Sequence, residues 1–166
     1  MNQQDGCNFS DKISLEANKC IKDGVCLESN MLIELIDSKG NIKDVRRIHN
    51  AITDAARFGI MDQVLAAPSL NKPGWIELGT GSPAATLLGA YIAGSRVAMT
   101  TKTRLNNVVT FVGDWPAGTG TGAITEAGVF DVVTANTVNM WCSASFAVLN
   151  KGASDVLKIT WTLTGS

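Results

Sequence analysis

The chain is poor in the groups that do chemistry. It has one histidine, one tyrosine, four prolines and four cysteines in 166 residues. A single histidine, His49, cannot build a His-rich metal site, and no Cys-x-x-Cys pair or His-Glu-x-x-His motif is present. A zinc site would need three cysteines and His49 at unusual spacing, so none is assigned. No apolar run approaches the ~20 residues that span a bilayer as a helix. Met1–Gly6 is polar with no apolar core after it, so no secretory signal is read and a cytosol-like site of synthesis is expected. Net charge is −1, which gives no global electrostatic case for nucleic acid or an anionic membrane.

What charge there is lies unevenly. Of the 29 charged side chains, 15 fall in the first 50 residues. Residues 1–30 are polar and mixed in sign, and read as an N-terminal arm ordered by a partner if at all. The arm carries Cys7, Cys20 and Cys26. A Cys20–Cys26 disulfide requires an oxidising destination, and three free thiols are the preferred reading. Cys142 alternates with Met140 and Ala144 and reads as a small buried hydrophobe.

From Met31 the chain reads as one domain, 31–166. Met31–Asp37 and Ile42–His49 flank a Ser-Lys-Gly-Asn turn and predict a hairpin over 31–49. Ile52, Ala56, Ile60 and Val64 recur every four residues, which predicts a helix over 50–66 with Asn50 as N-cap and Pro68 as terminator. Gly59 within that stripe predicts close packing against the sheet. After Trp75 the chain looks like sheet joined by Gly-rich turns, and from Gly94 a two-residue period takes over. Val109, Phe111, Gly113 and Trp115 share a face, as do Leu157, Ile159, Trp161 and Leu163. Ile124, Glu126, Gly128 and Phe130 are assigned to one face of their strand. Val138, Met140, Cys142, Ala144, Phe146 and Val148 are set against Asn139, Trp141, Ser143 and Ser145 on the next. The expected fold is mainly β, an antiparallel β-sandwich of jelly-roll-like character with one N-terminal hairpin, one packed helix and the polar arm.

The candidate sites are few. Gly118, Gly120 and Gly122 precede a strand and lack the lysine of a phosphate loop, so they read as a β-connection. Glu126 lies among small apolar neighbours. It reads as an anchor for backbone groups, or a partner of Arg96 or Arg104, rather than as a general acid. Arg46, Arg47 and His49 form a small basic cluster that reads as a solvated strand edge. Trp141 sits on a polar-looking face and is the one aromatic suited to contact a partner or a sugar. Ser82 is not in a nucleophile elbow and has no histidine to pair with. Neither catalytic residues nor a cofactor are assigned, and the interaction candidates are Trp141, Glu126, Arg46 and Arg47.

Two strings carry a resemblance. G-T-G-A-I-T-E-A-G-V-F over 120–130 is followed by F-A-V-L-N-K-G-A-S-D-V-L-K-I-T-W-T-L-T over 146–164. Together they resemble a family of small structural proteins of tailed-bacteriophage virions. W-I-E-L-G-T-G, the I-E-L-I-D-S-K-G-N hairpin and the His-Asn junction before the helix are similar to it as well. The resemblance spans about Met31–Thr164 and leaves the first 30 residues without a counterpart. It implies a non-enzymatic part of the phage particle: a capsid decoration (cement) subunit, or a tail-, collar- or fibre-associated one. The implied partners are major capsid or tail and collar proteins and further copies of the chain. No nucleic acid or membrane is implied, and the implied location is the virion. A carbohydrate-binding module recognising a host-surface glycan through Trp141 is the alternative.

Overall fold

Ten strands and one helix form over residues 26–166, which are the residues that the computed structural model describes. The strands are β1 (Leu27–Ile36), β2 (Ile42–His49), β3 (Ala51–Ile52), β4 (Trp75–Gly79), β5 (Val97–Ala98), β6 (Thr101–Leu105), β7 (Val108–Trp115), β8 (Gly122–Phe130), β9 (Met140–Lys151) and β10 (Val156–Gly165). They make two five-stranded antiparallel sheets, ordered β2-β1-β10-β7-β6 and β3-β9-β8-β4-β5. The protein is an antiparallel β-sandwich, as the alternation predicts. Met31, Ile33 and Leu35 of β1 face Ile76, Leu78 and Val129 of the second sheet's strands across a shared core, with Trp115 and Trp161 fully buried in it.

The hairpin turn forms where the sequence places it, but its first strand starts at Leu27, inside the residues read as the arm, because Leu27–Asn30 pair with β10. Gly40 takes a positive φ of 86°, and the Asp37 carboxylate accepts from the backbone N–H of Lys39 and Asn41, each at 2.8 Å. Those bonds, chiefly the one from Asn41, hold the Asp37 carboxyl below the usual carboxylate range.

The chain passes between the sheets four times, the first two within one or two residues. β2 belongs to the first sheet and β3 to the second, with Asn50 between them. Asn50 is therefore a buried corner and not the expected helix cap. Its Nδ2 donates to Ser29 Oγ at 2.6 Å, and the same oxygen accepts from Trp161 Nε1 at 2.8 Å. The second change falls between β5 and β6. β5 pairs with β4 in one sheet, whereas β6 pairs with β7 in the other.

Helix α1 (Asp54–Asp62) is shorter than expected. Thr53 caps it, its side chain accepting from Ala56 N at 3.2 Å. Only Ala56 and Gly59 of the helix are buried; Ile60 is exposed, and Val64 lies beyond the helix, 80% exposed. The four-residue repeat was thus half core and half surface. Gly59 packs as expected: a Cβ there would lie 2.6 Å from Trp141 Cη2.

Two bulges explain the misassigned faces. Val129 pairs with Cys142 and Phe130 with Met140, so Trp141 is the extra residue. It packs with Ile52 and Ala56 beneath the helix, 4% exposed, and not on a polar face. A second irregularity between Ile124 and Glu126 changes the phase of β8. Ile124 joins Ala127 and Val129 in the core, while Phe130 joins Met140, Leu88 and Trp75 in a separate apolar cluster.

Gly59→Ala tests the helix contact. Alanine is the better helix former by about 0.8–1.0 kcal/mol. Its methyl would overlap a buried, confined indole, and overpacking costs roughly 1–3 kcal/mol. A net loss of about 1 kcal/mol in urea unfolding is expected; a gain in stability would contradict the packing.

Candidate functional site

The polar residues of the two motifs meet the backbone of their own chain. Glu126 is fully buried. Its Oε1 accepts from Gly81 N at 2.9 Å and Ala90 N at 2.8 Å, and its Oε2 from Gly89 N at 3.0 Å. Thr125 Oγ1 adds a bond to the Gly81 carbonyl at 2.8 Å. The segment 80–96 is thereby tied to β8, and its Leu88 closes the apolar cluster over Phe130 and Met140. Glycines make this approach possible. A Cβ on Gly81 would lie 2.8 Å from Ala90 N, and one on Gly79 2.7 Å from Glu126 Cγ. Glu126 is thus a backbone anchor, and Gly79, Gly81 and Gly89 are the residues that sequence reasoning missed. The Gly-Thr-Gly at 79–81 was the available signal, but nothing local ties it to a carboxylate 45 residues away.

Arg96, one expected partner of Glu126, pairs with Glu77 instead, at 2.7 Å and with both side chains buried. Its guanidinium stacks 3.8 Å from the Phe130 ring centroid and donates to the Val132 carbonyl at 2.8 Å. Arg104 donates to the Asn106 carbonyl. Asp131 lies nearby, 6% exposed, and burial raises its carboxyl above the usual carboxylate range. Hydrogen bonds from its own backbone, Asn139 and Asn71, and the Arg96 charge, oppose that rise. The Glu77 and Asp131 carboxylates and Arg96 thus knit β4 to the 131–139 connection.

The second motif fixes the opposite turn. Lys151 is 2% exposed, and its Nζ donates to the Asp155 carbonyl at 2.6 Å and the Pro116 carbonyl at 3.1 Å. Burial lowers its affinity for the proton, and the nearby Asp155 charge opposes that. The Asp155 carboxylate accepts from Gly152 N at 2.8 Å and pairs with Lys43 at 2.7 Å. Those contacts, the Lys43 bond first, hold it below the usual range. The glycine run sits against this turn: Gly118 N donates to the Ala153 carbonyl at 2.7 Å, and Gly118 and Gly120 take positive φ. It is a fixed β-connection.

The expected basic cluster is divided. Arg46 reaches across the sandwich edge to the Ala147 and Val148 carbonyls of β9 and pairs with Asp44 at 2.7 Å. Arg47 points the other way, as the next residue on a strand must, and with His49, Asn30, Thr160 and Thr162 lines a shallow groove of about 440 Å³. Cys142 is buried and free, and burial pushes its thiol up to about 12. Cys26 is disulfide-bonded, against the expectation of free thiols in the arm; Cys7 and Cys20 lie outside the described residues. Among the described residues no cluster of three metal-ligating side chains occurs, and no helix is long and apolar enough to cross a membrane.

Comparison with protein-family models, with curated proteins and with solved structures finds no match.

Asp131→Asn tests the buried acid. A carboxyl whose folded pKa is raised stabilises the fold below its unfolded value and loses that contribution as pH rises through the folded value. The variant should therefore gain stability over the parent as pH climbs from the ordinary carboxylate value through the raised folded one, with the gain constant only above the folded value. Urea midpoints across that range measure it; a gain that shrinks with rising pH would contradict the assignment.

Proposed function

We propose that this chain is a non-enzymatic structural component of a tailed-bacteriophage particle, a decoration subunit on the capsid surface. The observation that carries the reading is the use made of Glu126, Lys151 and Asp155. Each is buried, and each holds main-chain groups or a turn of its own chain. These are three of the four charged residues of the strings that resemble virion proteins. Their duty is to fix connections between strands, as a subunit that must present a rigid face to neighbours requires. The sugar-stacking role suggested for Trp141 has no support, because the indole lies under α1 at 4% exposure.

The test is protein mass spectrometry of gradient-purified particles from a lysate of the encoding strain. The chain is expected in the particle band, at a copy number proportional to the major shell subunit. A copy number of only a few per particle would move it to the tail, collar or fibres. Its absence from the particles would overturn the reading.

A further inference from the structure

We propose that the end of the sandwich beside α1 is the attachment face, and that it receives a partner-protein segment carrying an apolar side chain next to a carboxylate. The proposal rests on the reading above and names the chemistry of the virion partner.

A cavity of about 450 Å³ opens between α1 and the first sheet. Phe111 and Trp141 supply its buried apolar wall, Ile60 and Gln63 line it from the helix side, and Lys72 and Lys102 stand exposed around it. No carboxylate lines it. Among the described residues neither lysine takes part in an ion pair. Arg104 lies two residues along β6 from Lys102, opposite Val109 of the cavity wall, and adds a third positive charge to that edge. An apolar hollow and a cationic surround together call for an occupant that is apolar at its tip and negative beside it.

The neighbouring surface decides between a small anion and a protein. Phe58, Met61, Val64 and Leu65 are 67%, 68%, 80% and 59% exposed. Four large apolar side chains within eight residues make a ridge, and Ile60 joins it to the cavity it also lines. A small ligand in the hollow would leave that ridge in water. A protein surface covers both at once, and an exposed apolar ridge of this kind marks a protein contact.

The experiment rebinds purified full-length chain to particles that lack it through deletion of its gene. Two double variants are compared with the parent: Lys72→Glu with Lys102→Glu, and Phe58→Ser with Met61→Ser. The altered side chains are exposed, so thermal unfolding should match the parent. Each double variant is expected to bind about ten-fold or more weakly, and parental binding should weaken as salt rises. Lys39→Glu with Arg47→Glu makes the same charge change elsewhere and should bind as the parent does. Parental binding with both test variants within about two-fold of it would overturn the docking face and leave the virion reading standing. An equal loss in the Lys39/Arg47 control would also overturn the face. No binding by the parent would overturn the virion reading itself. Independently of any substitution's effect on folding, a photo-crosslinking side chain at Leu65 should capture a shell subunit. Crosslinks only between copies of this chain would make a second copy the occupant and overturn the proposed partner.

Discussion

Glu126 is the constraint on which the upper layer of the molecule depends. Its carboxyl group is fully buried and binds three backbone N–H groups that lie up to 45 residues earlier in the chain. The fully buried carboxylate, left without those donors, would be strongly destabilising. Paired, the carboxylate and its donors turn an irregular segment into a lid over β8. Leu88, carried by that lid, shields Phe130, and Phe130 in turn carries the Arg96 guanidinium on its face. The Glu77–Arg96 pair is buried in the shelter so formed. One carboxyl group thus precedes an apolar cluster and an ion pair that would otherwise meet water.

Lys151 does the complementary work at the connections β7–β8 and β9–β10. An ammonium takes the carbonyls of Pro116 and Asp155, while the Asp155 carboxylate takes the Gly152 N–H and the Lys43 ammonium of β2. The two anchors use opposite charges for the same task. Glu126 gathers donors, and Lys151 gathers acceptors. A side chain so engaged is committed to its own chain, and the groups left for other partners lie on the surface. There the molecule is asymmetric: one end has fixed turns, and the other has an apolar ridge beside a cationic hollow.

Much of this was legible in the sequence, and the failures have physical causes. The two-residue period gave the sandwich, and the Lys-Gly-Asn turn gave the hairpin. Gly59 within the stripe does mark a close approach, since only a missing Cβ leaves room for the Trp141 ring. The four-residue period predicts too long a helix because Ile60 and Val64 keep it while facing solvent. Periodicity reports an apolar stripe, and a stripe meant for a partner looks the same as one meant for the core. Strict alternation puts Trp141 on the wrong face because a bulge adds a residue without leaving a mark in composition. Arg46 and Arg47 were grouped by adjacency, although neighbouring strand residues point apart. The cradle of Gly79, Gly81 and Gly89 was out of reach, since it is completed by a residue from a distant strand.

The most direct test of the central claim is backbone amide exchange in Glu126→Ala against the parent, read residue by residue. If Glu126 holds the lid, protection at Gly81, Gly89 and Ala90 collapses in the variant while β1 and β10 stay protected. Unchanged protection at those three amides would contradict the account.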